Sequence, residues 1–312
     1  MAYTPDDWAA QDEGDGQGGR WGGRVLLALF VLLAPVAVLA AMVAVDRAMG
    51  SASSSGNYAA RFALPPSKAE IDLPRITGSD DPTRPLVVID AGHGGHDPGA
   101  GEMPHVEKEV TLALALALRD RLVADGGIRV ALTRDNDRYL LLEDRSGIAR
   151  RMKADLFVSI HADSTEVGNT AKGATIYTLS ARGTSEQAEK LAASENRADT
   201  VNGVSLARTS GQVSAILVDL AQRHSGRLSD EFARLILREG EGRIAFREKE
   251  PQSAAFVVLK SPDVPSVLFE SGYINNPEEL ARLRSDKGRA AFAEVTARAI
   301  RVFFARQSTD QP

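Results

Sequence analysis

Residues 86–101 read LVVIDAGHGGHDPGAG. The first six residues form a short apolar, β-branched run suited to a strand buried on both faces. The run then breaks into a glycine-rich loop that carries His93 and His96. Working outward, a helical pattern follows near Lys108–Ala124, and further β-rich runs lie at Ile128–Thr133, Asp155–Ile160, Ala174–Thr178, Ala255–Leu259 and Ser266–Phe269. Helical segments at Leu142–Lys153, Ser185–Ala198, Gln212–Arg223, Ser229–Glu239 and Ala290–Ala305 alternate with them. This alternation predicts an α/β fold: a single, mainly parallel twisted sheet of about six strands with helices on both faces.

Ligands of such folds bind outside the carboxyl ends of the strands, so the reactive side chains that directly follow strands matter most. The run Leu86–Asp90 delivers His93 and His96, Asp155–Ile160 delivers His161 and Asp163, and Ser266–Phe269 runs straight into Glu270. Glu107 stands just before the helix after the first strand, at the same sheet edge. Two imidazoles and two carboxylates from four separate segments match the needs of a catalytic zinc: three N/O ligands, one open position and a carboxylate base. Each residue also has a plainer reading. A histidine after a strand often only hydrogen-bonds within its loop, and either Glu107 or Glu109 would favour a helix N-terminus through the dipole. His96 and His105 sit in less constrained loop positions and His224 follows an amphipathic helix, so all three read as solvated. Asp90 and Asp163 are candidates to hold the imidazoles from behind, or to pair locally. The glycine spacing fits neither G-x-G-x-x-G nor a P-loop, which argues against a phosphate cradle.

The chain has 312 residues, 43% of them hydrophobic, a formal charge of −5 and no cysteine. A packed core is expected, and a disulfide framework, a thiolate metal site and a cysteine nucleophile are excluded. Residues 1–24 hold five acids against Arg20 and Arg24, leaving the rest of the chain close to neutral with no basic block, so nucleic-acid binding is not expected. This glycine-rich leader reads as disordered and cytoplasmic. Residues 25–45 (VLLALFVLLAPVAVLAAMVAV) carry no charge and are long enough to cross a bilayer. They are expected to be an uncleaved inner-membrane anchor, with a cleaved signal peptide as the alternative; both export the remainder of the chain to the periplasm. Residues 46–83 read as a flexible Ser/Pro/Gly-rich linker and residues 84–307 as the catalytic domain.

The segments VVIDAGHGGHDPGA, VEKEVTLALALAL, LTRDNDRYLLLEDR, ADLFVSIHADS, GATIYTLS and VLKSPDVPSVLFESGYINNPEE, in this order, resemble the successive motifs of zinc-dependent N-acetylmuramoyl-L-alanine amidases, in particular the cell-separation branch. The resemblance covers essentially all of residues 84–305. It implies His93, Glu107 and His161 as zinc ligands, favours Glu107 over Glu109, and makes Glu270 the catalytic base. The implied substrate is peptidoglycan, cut at the amide between N-acetylmuramic acid and L-alanine during wall remodelling and daughter-cell separation.

Between Ser180 and Glu250, about 70 residues separate two expected strands, far more than an ordinary crossover. This segment resembles the regulatory insert of the same branch, whose helix covers the zinc until a LytM-domain activator displaces it. Ala188, Leu191 and Ala192 form an apolar stripe, and the next position on that face is Glu195, which is expected either to cap the open zinc position or to end in water. Two other functions compete: a non-catalytic, amidase-like module that binds wall or partner, and a zinc peptidase or deacetylase acting on the same polymer.

Overall fold

The computed structural model describes residues 72–164, 170–201, 204–205 and 215–309, and residues 33, 37, 38, 40–42 and 44, which are helical. The chain divides into two units, residues 1–69 and 70–312. Most of the expected 25–45 span and all of residues 1–24 and 46–71 lie outside the described residues. Among the described residues, no helix is long and apolar enough to cross a membrane.

The second unit is built on a seven-stranded sheet. Its strands are β1 (Ile76–Gly78), β2 (Leu86–Ala91), β3 (Arg129–Leu132), β4 (Leu156–Asp163), β5 (Thr175–Leu179), β6 (Gln252–Ala254) and β7 (Ser266–Tyr273), in the order β1-β3-β2-β4-β7-β5-β6. The helices are α1 (Glu107–Asp125), α2 (Leu142–Arg151), α3 (Glu186–Glu195), α4 (Ala215–Gly240), α5 (Pro277–Arg284) and α6 (Asp286–Thr309). Strand β2 shows why both faces are covered. Val87, Ile89 and Ala91 join the core beneath α1, α4 and α6, with Leu114, Phe232 and Ile300. The alternate residues Leu86 and Val88 face Ile148 of α2, Ala188 and Ala192 of α3, and Phe256.

The sheet is mixed, not mainly parallel. The central strands β3, β2, β4 and β7 run parallel, but β1 joins β3 and β5 joins β7 antiparallel. The physical reason lies in the connections: a parallel crossover takes a dozen or more residues, usually a helix, whereas only residues 164–174 join β4 to β5. The sheet also begins before Arg84, because β1 lies within the stretch expected as linker.

Three local expectations differ from the structure. The run Ala255–Leu259 is not a strand: the strand is Gln252–Ala254, followed by a 3₁₀ turn at Val257–Leu259. The Val257 amide donates to Asn196 Oδ1 (2.8 Å), which draws that turn away from the sheet ladder. The two helices expected at Gln212–Arg223 and Ser229–Glu239 are one helix over the described residues, α4, with Gln212–Ser214 outside them. Ser225 and Gly226, in the gap between the two expected helices, are carried within it, and Ser229 Oγ donates to the Ser225 carbonyl (2.7 Å). Helix α5 was not expected, although Asn276-Pro277 is a clear start signal: Asn276 Oδ1 accepts from the amides of Glu278 and Glu279, and Pro277 takes the first turn.

Candidate metal centre

The carboxyl ends of β2, β4 and β7 lie side by side, and the register sets Glu270 of β7 directly against His161 of β4. Strand β2 ends in the glycine loop, where His93 takes a left-handed backbone conformation (φ 60°). A non-glycine residue in that region is strained and persists only where its surroundings over-determine it. Glu107 is the first residue of α1, and the loop satisfies that helix start: the Glu107 amide donates to the Ala100 carbonyl and the Lys108 amide to the Pro98 carbonyl.

Four side chains meet there. His93 Nε2 lies 3.0 Å from Glu107 Oε2 and 3.4 Å from Glu195 Oε2, and His161 Nδ1 lies 3.1 Å from Glu107 Oε1 and 3.1 Å from Glu195 Oε2. The Glu107 carboxylate is oriented by the Ala162 amide on Oε1 and the Ala100 amide on Oε2, both at 2.9 Å. Close approach also explains two glycines. A Cβ on Gly92 would stand 2.6 Å from His161 Nε2, and one on Gly99 would stand 2.6 Å from Glu107 Oε2.

His93, His161 and Glu195 offer three atoms within 4.8 Å of one another, a group able to hold a metal ion. Ligands around a tetrahedral zinc at about 2.0–2.1 Å stand about 3.3 Å apart, close to the separations above. His93 Nε2, Glu195 Oε2 and both Glu270 oxygens are buried without a hydrogen-bond partner. Near neighbours surround His93 Nε2, yet none lies in line for a hydrogen bond, which suits nitrogen and oxygen donors converging on a cation. The electrostatics agree. Burial disfavours charged imidazoles, yet Glu107 beside His93 raises its pKa well above the usual value, and Glu195 beside His161 raises it to about 9. Burial and the neighbouring acids Asp163, Glu107 and Glu195 push Glu270 well above the ordinary carboxyl range. Asp163 rises to about 7, by burial first and then by Glu107 and Glu195. Such an excess of buried acid calls for positive charge, and a divalent cation would take the place of the imidazole protons.

Of the two readings open for Asp90 and Asp163, their contacts follow local pairing. Asp90 is fully buried but binds Thr133 Oγ1 (2.6 Å), Arg145 (2.9 Å) and Ser159 Oγ (2.8 Å), and no imidazole. Asp163 pairs with the Tyr273 hydroxyl. The acid behind His93 is instead Asp97, with Oδ2 2.8 Å from Nδ1. The sequence signal for Asp97 was its position four residues after His93 in the same loop. His96 stacks on Tyr139, and His105 and His224 lie beside Arg284 and Arg227, all outside the cluster. Glu195 sits at the C-terminal end of α3, and the centre opens into a cleft of about 850 Å³ that Tyr177, Arg247 and Tyr273 also line.

Residues 87–302 match the family model described as N-acetylmuramoyl-L-alanine amidase. The chain is 42% identical over 217 residues to N-acetylmuramoyl-L-alanine amidase AmiA of Escherichia coli K12, covering 69% of this chain and 73% of AmiA. It is 35% identical over 231 residues to AmiC of Escherichia coli O6:H1, covering 72% of this chain but only 54% of that relative. Among solved structures, AmiC2 of Nostoc punctiforme is 28% identical with a TM-score of 0.50, covering 71% of this chain and 98% of that one. The chain therefore belongs to the N-acetylmuramoyl-L-alanine amidase family, on the branch of the AmiA, AmiB and AmiC proteins.

Proposed function

We propose that the chain hydrolyses the amide between N-acetylmuramic acid and L-alanine in peptidoglycan, with His93, Glu107 and His161 holding zinc, in cell-wall remodelling and daughter-cell separation. The observation that carries this reading is Glu270: a buried carboxyl with two unpartnered oxygens beside the His93/His161 cluster, in a chain of this family. A zinc ion there would supply Lewis acidity towards the amide carbonyl and a water of pKa near about 7. Glu107 gains an orientation fixed by two backbone amides, and its negative charge offsets that of the cation. Glu270, whose environment favours proton uptake, accepts the proton of the attacking water and passes it to the leaving amine of L-alanine.

Glu195 is assigned to a brake. Its Oε2 stands against both imidazoles, in the place an attacking water or a scissile carbonyl would need. Helix α3 is held by the burial of Ala188 and Ala192, so freeing the centre means lifting that helix, the work assigned to a LytM-domain activator. Residues 25–45 are assigned to the inner-membrane anchor of an exported, periplasmic enzyme. Leu33, Val38 and Met42 stand 56%, 59% and 66% exposed, which supports an apolar surface there.

The test uses the full chain, its Glu195→Ala form and Glu270→Gln, each assayed for zinc content and for products from labelled peptidoglycan. Stem peptides with a free N-terminal L-alanine are expected, released faster by Glu195→Ala than by the unaltered chain and hardly at all by Glu270→Gln. Folded, zinc-loaded Glu195→Ala protein that releases no such peptide would overturn the catalytic assignment.

A further inference from the structure

Two arginines are completely enclosed beneath the glycine loop: Arg134 is 1% and Arg145 2% exposed. Between them they hold three successive backbone carbonyls. The Ala91 carbonyl accepts from Arg134 Nε (2.8 Å) and Arg145 Nη1 (2.8 Å). The Gly92 carbonyl accepts from Arg134 Nη2 (2.7 Å) and from the Thr111 hydroxyl (2.9 Å). The His93 carbonyl accepts from Arg145 Nη2 (2.8 Å). Arg134 Nη2 also reaches the Lys108 carbonyl (2.8 Å), one residue beyond Glu107 in the first turn of α1. The last sheet-ladder bond of this segment is the Gly92 amide to the Ile160 carbonyl, so side chains take over where the ladder stops.

This arrangement is expensive unless it does something besides fill space. Arg145 pairs with one buried carboxylate, Asp90, while Arg134 is held by backbone carbonyls, and apolar residues of similar volume would ordinarily serve stability as well or better. What apolar residues could not do is fix three carbonyls that point inward at a strained turn, since a planar guanidinium fork offers several donors in a set geometry. The loop packs closely here: a Cβ on Gly94 would clash with the Arg138 carbonyl oxygen and stand 3.1 Å from Arg134 Nε.

We propose that Arg134 and Arg145 are positioning residues for the metal centre, their guanidiniums gripping the carbonyls of Ala91, Gly92 and His93 so that His93 is held left-handed with Nε2 turned to the cation. The proposal rests on the metal-binding part of the function proposed above. It assigns neither arginine a contact with substrate.

The test compares the full chain with Arg145→Lys and Arg134→Lys, which keep the charge but lose the fork, and with Ser229→Ala as a control. Ser229 donates to the Ser225 carbonyl and accepts from the Ser266 amide at the start of β7, four residues before Glu270. Zinc affinity is read by chelator competition, the ligand field by the visible spectrum of the cobalt-substituted protein, and stability by Tm. Each lysine variant is expected to bind zinc about 10- to 100-fold more weakly and to shift the cobalt bands, as loss of outer-sphere support does elsewhere. The control is expected to lower Tm and leave both metal readouts unchanged. Lysine variants that lose Tm as the control does, with zinc affinity within about twofold of the unaltered chain and the same cobalt spectrum, would reduce the pair to packing. Should a lysine variant not fold, Thr111→Val is read the same way, because it removes only the hydroxyl shared by the Gly92 carbonyl and Arg134. An unaltered chain that binds no divalent cation overturns this proposal. One that binds zinc but releases nothing from peptidoglycan overturns the assigned reaction and leaves the positioning role to be judged by affinity.

Discussion

Asp97 shows how a single residue can set the chemistry of His93, a proposed metal ligand, from the far side of its ring. Its Oδ2 accepts from His93 Nδ1 at 2.8 Å, while the Gly99 amide holds Oδ1 at 3.1 Å. A carboxylate at Nδ1 makes that nitrogen the donor and leaves the Nε2 lone pair facing the centre. Asp97→Asn keeps the shape but halves the acceptor capacity and removes the charge. The expected result is zinc binding about 10- to 100-fold weaker, read by chelator competition, with Tm changed far less than by removing a core side chain. Unchanged affinity would mean that His93 is oriented by its backbone alone. The metal-binding types at this scale were legible because they end strands: His93 after β2, His161 near the end of β4, Glu270 on β7. Asp97 is not legible in the same way, because a polar side chain inside a glycine-rich loop follows no period that tells which neighbour it will meet. Asp90 lies closer to the strand and therefore deeper, where Arg145 claims it.

At the scale of elements, the main question is how firmly α3 is held on the centre. Its start is capped by Ser185, and the residues just after its far end are tied by two latches. Asn196 donates to the Ala255 carbonyl and accepts from the Val257 amide, clasping the backbone beyond β6. Asp199 accepts from the Tyr139 hydroxyl (2.9 Å) and from the Leu142 amide (3.1 Å), so the insert supplies the N-terminal cap that α2 lacks from its own preceding residue. The Tyr139 hydroxyl also lies 3.1 Å from the Ala198 carbonyl. Tyr139→Phe removes one latch atom and keeps the ring that stacks on His96. Losing one such bond costs about 1 kcal/mol, roughly a fivefold shift towards the lifted helix. Basal peptidoglycan hydrolysis is expected to rise by about that factor, with faster amide exchange across residues 186–199. Equal exchange and equal basal rate in the two proteins would mean that the hydroxyl does not hold the helix. The place of α3 and its Ala188/Leu191/Ala192 stripe could be read from sequence, since helical period is a local signal, although the helix ends at Glu195 and not at Ala198. The latches could not, because each joins residues at least 57 positions apart in the chain.

Across the whole molecule, parallel strands β2, β4 and β7 bring His93, His161 and Glu270 to one edge, and side chains that end or follow apolar runs stand out in the sequence without the topology. Strand direction was the weaker inference: apolar alternation looks the same in either direction, and only the short link from β4 to β5 carries the information that β5 must reverse. The same central strands bury the ion pair between Asp90 and Arg145, 0% and 2% exposed, and this ties global stability to pH. Burial alone would raise the Asp90 pKa, but Arg145, Thr133 and Ser159 outweigh it and hold the carboxyl below its usual value. An acid whose folded pKa lies below its unfolded value of about 3.9 contributes stability that is fully present above that value and is lost as pH falls through the folded pKa. Asp97, lowered by His93 despite its burial, adds to the same acidic window. Asp90→Asn is therefore expected to lower stability at neutral pH by about 3–5 kcal/mol, because Arg145 is left buried without its counter-ion. Its Tm should also fall less steeply than that of the unaltered chain on acidification below about pH 4, since one of the groups that must take up a proton is gone. Thermal melts of both proteins from neutral to acidic pH make the comparison. Parallel profiles would show that Asp90 is not ionised in the folded protein, and that Arg145 is held by the loop carbonyls alone.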